Sequence, residues 1–317
     1  MNSISKVAVC SRSFSKNRLL RAKLLSCYSN VTFNDKGNKL SGDSLINFLK
    51  GCDKAIVALE EINSDILEEL PELKVISKYG VGLDTIDLHS LDKYRVNLGW
   101  IGGVNSRSVA ELVVSNAIAL LHKTILAASE VRAGMWRQTV GRQLNSCTVG
   151  IIGCGHIGKD LVKLLQPFEC NILAHDILDF KEFYKKSKIR PVDIEELIRE
   201  SDVVTLHLPL NNSTKNIMSR DRLQMMKQDA ILINLARGGL IDEDVLKQML
   251  LENKIAGAAL DVFAVEPPVD TEFSLLDNVL ITPHIGGSTE EAILAMGIAA
   301  INGLENAKDP LEFLQIS

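Results

Sequence analysis

Aromatic residues make up only 5% of this sequence, too few to build an extended stacking platform for single-stranded nucleic acid. It also lacks a strong charge bias. Its 35 Lys and Arg face 40 Asp and Glu, and a net charge of −5 argues against nucleic acid or an anionic membrane as its main partner. No apolar run approaches the roughly 18 residues needed to cross a bilayer. Residues 1–10 lack the apolar stretch of a signal peptide. The six cysteines (Cys10, Cys27, Cys52, Cys147, Cys154 and Cys170) contain no CxxC pair. Free thiols are therefore expected, with neither a zinc site nor a disulfide frame. These absences lead to the expectation of a cytoplasmic, metal-free protein.

What is present is a chain of 317 residues, 46% of them hydrophobic. That length exceeds what one core usually organises, so two domains are expected. Short, continuous apolar runs recur at 7–10, 56–59 and 75–77, as expected of parallel strands covered on both faces. Helical spacing lies between them, at 16–27 and 43–50. A second series of strands falls at 148–152, 171–174, 203–206, 230–234, 257–260 and 279–281, with helical stretches at 157–165, 193–200, 220–226 and 243–252. The fold expected is α/β with two doubly wound domains. Glycine-bearing joints at 99–104 (GWIGGV) and 285–289 (IGGST) suggest residues 100–285 as a Rossmann domain inserted in a flavodoxin-like domain of 1–99 and 286–317. The helix expected over 105–124 opens with Ser108 and Glu111 in capping-box spacing. Its Leu112, Val113, Ala117, Ile118, Leu120 and Leu121 are apolar on more than one side. Such a helix is either deeply buried or shared with a second subunit, and a homodimer is expected through 108–124.

Gly153-Cys-Gly155-His156-Ile157-Gly158 is a GxGxxG that follows a strand and opens a helix. Gly153 permits the tight turn, Gly155 lets backbone approach a pyrophosphate, and Gly158 allows close helix–strand packing. The helix N-terminus offers N–H groups and its positive dipole end to the anion. Asp176 ends the next strand, where a carboxylate accepts from a ribose 2′-OH and repels a 2′-phosphate. Ile177 and Leu178 follow it, with no arginine for a phosphate, so NAD is favoured over NADP. Cys154 is read as a small side chain tolerated in the loop rather than a reactive thiol.

Three polar residues fall just beyond the ends of late strands: Arg237 in INLARGGLID, Glu266 in ALDVFAVEPP and His284 in ITPHIGGS. An arginine fork suits a carboxylate and an adjacent carbonyl oxygen. A histidine can take a hydroxyl proton as hydride leaves. A glutamate can orient that imidazole and stabilise its protonated form.

The stretches KYGVGLDTID, NSRSVAEL, VGIIGCGHIGKDL, HLPLNNSTKN, INLARGGLIDEDVL, AALDVFAVEPP and PHIGGST together resemble the NAD-dependent D-2-hydroxyacid dehydrogenases, and within them the D-3-phosphoglycerate dehydrogenases. The resemblance implies Arg237, Glu266 and His284 as the catalytic set. It implies a substrate carboxylate on backbone N–H groups around Gly80, Val81 and Gly82. It also implies NAD contacts at His156, Ile157, Asp176, Leu208, Leu235, Ala236 and Asp261, the last toward the nicotinamide carboxamide. D-3-phosphoglycerate is the first substrate implied, which would place the chain in serine synthesis. Hydroxypyruvate, glyoxylate or another 2-oxo acid is the alternative. One departure bears on that choice. Where the animal enzymes carry a phosphate-holding arginine, this chain reads IVALEEI, with Glu60 and Glu61. Lys78 supplies one cation instead, with Arg12, Arg107 and Arg142 as further candidates. The chain ends soon after His284, so feedback by serine through an appended regulatory domain is not expected. A reading from another class is an NAD(H)-responsive co-repressor-like protein that keeps the same three residues, against which the acidic charge counts.

Overall fold

In the computed structural model, residues 5–269 and 272–314 are described. The chain divides into two compact units, Met1–Asn105 with Glu290–Ser317, and Ser106–Thr289.

The first unit is built on five parallel strands: β1 (Lys6–Val9), β2 (Asn30–Phe33), β3 (Lys54–Val57), β4 (Val75–Lys78) and β5 (Asn97–Gly99). Their order is β2-β1-β3-β4-β5, the flavodoxin-like arrangement, with its switch point between β1 and β3. Val7, Ala8, Val9, Ala55, Ile56 and Val57 are all buried, because helices cover both faces of a parallel sheet. The helix expected over 16–27 divides at Asn17, whose side chain caps Leu19 and Leu20 and separates Arg12–Lys16 from Arg18–Cys27.

The second unit carries seven parallel strands: β6 (Thr148–Ile152), β7 (Asn171–His175), β8 (Arg190–Pro191), β9 (Val203–Leu206), β10 (Ile231–Asn234), β11 (Gly257–Leu260) and β12 (Val279–Ile281). The order β12-β11-β10-β9-β6-β7-β8 is a Rossmann sheet extended by one strand, and it reverses direction between β6 and β9. The short edge strand β8 has no apolar run to announce it.

The expected helix over 105–124 is shorter and bent. Ser106–Leu121 ends before Lys123, which adopts a left-handed φ of 55°, and Thr124–Arg132 continues at a 63° angle. Among the described residues, no single helix is long and apolar enough to cross a membrane. The capping box is not formed. Ser108 lies inside the helix and donates its hydroxyl to the Gly286 carbonyl at 2.6 Å, a tertiary contact that spacing alone does not reveal.

The returning helix Glu290–Gly303 packs on β4 and β5 through backbone that has no room for side chains. A Cβ at Gly99 would lie 2.3 Å from the Gly303 carbonyl oxygen, and one at Gly303 would lie 2.3 Å from Ser77 Oγ. Ser77 Oγ in turn donates to the Ala300 carbonyl at 2.7 Å. Substituting Gly99→Ala is expected to lower stability by roughly 1–3 kcal/mol, the usual penalty of overpacking. An unchanged urea midpoint would show that this helix does not seat on β5 as described.

Candidate functional site

The loop after β6 is shaped by crowding. Gly153 has φ 96°, and a Cβ there would meet the His207 carbonyl oxygen at 2.4 Å, so only glycine fits at this switch point. A Cβ at Gly158 would lie 2.4 Å from the Gly153 carbonyl oxygen, which brings the helix His156–Leu165 hard against the loop. Gly155 differs, because no atom lies within 4 Å of its Cβ position. Its surface is open, as a site for a close-lying phosphate requires.

Asp176 sits beside this loop. Its Oδ2 accepts the Cys154 N–H at 2.6 Å and its Oδ1 accepts the Leu178 N–H at 2.8 Å. A hollow of 150 Å³ opens next to it, lined by Ala174, Ile177, Tyr184, Pro191 and Val192. A carboxylate at the edge of a hollow with mixed polar and apolar lining, Asp179 included, fits the ribose and base of a dinucleotide. Ile157 begins the helix beside His156, and Leu208 follows β9, with its side chain near Gly153. Cys154 is fully buried, and burial pushes its thiol up to about 11, so it is not a reactive nucleophile.

Arg237 is carried by the loop after β10. Asn234, 2% exposed, pins that loop: its Nδ2 donates to the Arg237 carbonyl at 2.8 Å and its Oδ1 accepts from Ala236 at 3.1 Å. Leu235 and Ala236 are buried. Glu266 lies in the loop after β11, where its Oε1 accepts the Phe263 N–H at 3.2 Å. Its Oε2 meets His284 Nδ1 at 2.9 Å. The pair is half-exposed, with side-chain exposures of 47% and 38% for His284 and Glu266. With Nδ1 committed to a carboxylate, Nε2 is the nitrogen left to exchange a proton.

His284 itself has a left-handed φ of 54°, a costly conformation for a residue with a side chain unless its surroundings impose it. Asp261 imposes it. Only 1% exposed, it accepts from Thr282 Oγ1 at 2.6 Å, from the Ile285 N–H at 2.8 Å and from the Gly286 N–H at 2.7 Å. Its carbonyl also accepts the His284 N–H at 2.9 Å. The carboxylate expected to meet the nicotinamide thus also holds the histidine turn. Asn234 and Asp261 are positioning groups that motif reading did not single out as such. Their one signal is a polar residue closing an otherwise apolar strand.

His207, by contrast, has a buried ring. Burial pushes it down to about 3, leaving it neutral at ordinary pH and unsuited to carry a proton.

In the first unit, Gly80 takes φ 132° and begins the loop after β4. Trp100 Nε1 donates to the Val81 carbonyl at 3.0 Å. Lys78 is 6% exposed; its ammonium donates to the Ala58 carbonyl and to Thr85 Oγ1. Glu60, also buried, accepts the Ala58 N–H at 2.6 Å. Of the other candidate cations, Arg107 pairs with Asp160 and Arg142 with Asp202 and Asp229, which are structural roles. Arg12 is exposed at the start of its short helix.

The sequence model of the D-isomer-specific 2-hydroxyacid dehydrogenase NAD-binding domain matches residues 114–286. The chain belongs to this family. NAD is the cofactor of its Rossmann unit, and the open surface at Gly155 and the hollow beside Asp176 fit it. A D-3-phosphoglycerate dehydrogenase of Methanocaldococcus jannaschii is 38% identical over 262 residues, covering 81% of this chain and 50% of that one. The chain therefore spans about half the length of that relative. A hydroxypyruvate reductase of Thermotoga maritima is 35% identical over 268 residues, covering 83% and 87%. Among solved structures, the D-lactate dehydrogenase of Lactobacillus jensenii with NAD+ superposes with a TM-score of 0.77 at 27% identity, covering 94% of this chain and 97% of that one.

Replacing Asp176→Ala is expected to erode the preference for NAD over NADP by at least about tenfold, since one hydrogen bond to a charged acceptor is worth roughly 1.5–3 kcal/mol. Unchanged selectivity, measured as the ratio of the two dissociation constants, would remove Asp176 from ribose recognition.

Proposed function

We propose that this chain moves hydride between NAD and C2 of a small D-2-hydroxy acid, with Arg237, Glu266 and His284 as its catalytic residues. The observation that carries this reading is the 2.9 Å pair of His284 Nδ1 and Glu266 Oε2 in the same unit as the NAD loop. NAD, when bound, supplies the acceptor for hydride. His284 Nε2 takes the substrate hydroxyl proton in the oxidative direction and returns it to the carbonyl oxygen in the reverse. Glu266 holds the imidazole in one tautomer and stabilises the imidazolium. Arg237 grips the carboxylate as a bidentate donor and polarises the neighbouring oxygen. The resemblance also assigns carboxylate binding to the backbone N–H groups of Gly80, Val81 and Gly82.

For the substrate, the first unit supports an unphosphorylated 2-oxo acid, such as hydroxypyruvate or glyoxylate, over the 3-phosphoglycerate that the resemblance first implies. Lys78 is buried and spends its charge on the loop backbone and Thr85. Glu60 brings a negative charge to the same sheet end. A phosphate dianion gains little there. The six free thiols fit a reducing compartment such as the cytoplasm.

A homodimer is part of the same proposal. Val131, Met135, Trp136 and Val140 are 50%, 51%, 86% and 85% exposed, and they follow the bent helix Ser106–Leu121. An apolar hollow of 510 Å³, lined in part by Leu120, Ile125, Val140, Leu250 and Leu251, lies in the same unit. A twofold contact can bury both on each copy. Sedimentation at micromolar concentration is expected to show a dimer, and a stable monomer would refute it.

Oxidation of NADH with hydroxypyruvate, glyoxylate, pyruvate and 3-phosphohydroxypyruvate tests the reaction and the substrate together. Turnover is expected with an unphosphorylated acid, and Arg237→Ala is expected to cost about a hundred- to a thousandfold in kcat/KM. A preference for the phosphorylated acid would reverse the substrate choice. NADH-dependent partner binding without turnover of any acid would favour the co-repressor-like alternative.

A further inference from the structure

Glu243 is half-buried and has no place in the chemistry above. It is the first residue of the helix Glu243–Leu251, whose N-cap is Asp242, and as a member of the first turn it complements the helix dipole. Its carboxylate does more. Oε1 accepts the Ala264 N–H at 2.8 Å, and the N–H of Gly239 bears on the same carboxylate and pulls its pKa downward. Gly239 is two residues past Arg237, and Ala264 is two residues before Glu266. The two loops are in backbone contact between those points. A Cβ at Gly238 would lie 2.0 Å from the carbonyl carbon and oxygen of Phe263. The carboxylate therefore closes a junction at which two chain segments leave neighbouring parallel strands, β10 and β11, at the same end.

We infer that Glu243 is a positioning residue that sets the spacing between the Arg237 loop and the Glu266 loop by accepting one N–H from each. This rests on the proposed roles of Arg237 and Glu266. Two donors on either side of one side chain are matched by the two acceptor oxygens of a carboxylate, whereas glutamine keeps one oxygen and puts an NH2 in place of the other. With glutamine, the amide NH2 confronts one of the N–H groups, the link between the loops is broken, and both loops are freed. Burial, and the nearby carboxylates of Asp244 on its own helix and Glu266 on the facing loop, push Glu243 upward, while the two backbone donors pull it down. Lys247, one turn along, pairs with Glu272.

The test compares Glu243→Gln and Glu243→Asp in the full chain. Three quantities are read: kcat and KM for the best 2-oxo acid, the NADH dissociation constant by fluorescence, and amide hydrogen exchange in loops 235–241 and 261–269. Gln is expected to lower kcat by about ten- to a hundredfold, as loss of a supporting partner does elsewhere, with NADH affinity within about twofold of wild type. Exchange is expected to quicken in both loops. Asp keeps two acceptor oxygens on a shorter stem, so it is expected to recover part of the lost kcat, and it serves if Gln does not fold. A kcat near wild type, faster exchange in one loop only or in neither, or NADH affinity falling in step with kcat would each overturn the inference. If the wild-type chain reduces no 2-oxo acid, the proposed function fails, and the exchange pattern alone decides whether Glu243 ties the loops together.

Discussion

A buried carboxylate has to find hydrogen-bond donors, and Asp261 finds three in the turn that carries His284. The turn that carries His284 is arranged around that demand. The side chain cannot be satisfied by water at 1% exposure, so the chain after β12 must fold back over the end of β11 to supply Thr282, Ile285 and Gly286. Hydrogen bonds to a charged acceptor contribute roughly 1.5–3 kcal/mol each, enough to hold His284 in a left-handed backbone that a side chain disfavours. In that conformation the imidazole meets Glu266. The parallel sheet makes this possible, because successive strands deliver their loops to one edge.

The two histidines that follow strands in this unit show how burial assigns a proton role. His207 follows β9 and His284 follows β12. The first has its ring buried, is held neutral, and meets Thr205 Oγ1 at 3.1 Å. The second is half-exposed and has a carboxylate 2.9 Å away. Their residue type and their position after a strand are the same. Solvent access and the neighbouring charge separate the two: one ring is held neutral in the interior, the other faces solvent beside a carboxylate.

The sequence shows the strands of both sheets where they are continuous apolar runs, because a strand covered on both faces leaves little room for polar residues. It does not show β8, whose two residues are exposed and held by edge pairing to β7. It shows Gly153 to Gly158 and Asp176 because that spacing is local. It shows Arg237, Glu266 and His284 as single residues after strands. The contacts between them belong to residues distant in the chain, and spacing is silent about those. Ser108 looks like a helix cap and is a tertiary donor to Gly286. Asp261, placed toward the nicotinamide by the resemblance, also anchors the turn that carries His284. In both cases local pattern is silent about a partner that the fold brings from a distant part of the chain.

Lys78 is the same lesson with a consequence for chemistry. A cation at a sheet end is read from sequence as an anion receptor, since nothing local competes for it. In the first unit the Ala58 backbone competes. Its carbonyl accepts from Lys78 and its N–H donates to Glu60, so the two peptide groups that flank the Ala58 Cα each engage a buried side chain, and the two side chains are of opposite charge. Burying either charge without such partners would cost several kcal/mol. Together they satisfy each other's surroundings and leave the strand end close to neutral. A cation engaged in this way is desolvated and matched within its own unit, so its presence in the sequence does not by itself make an anion receptor.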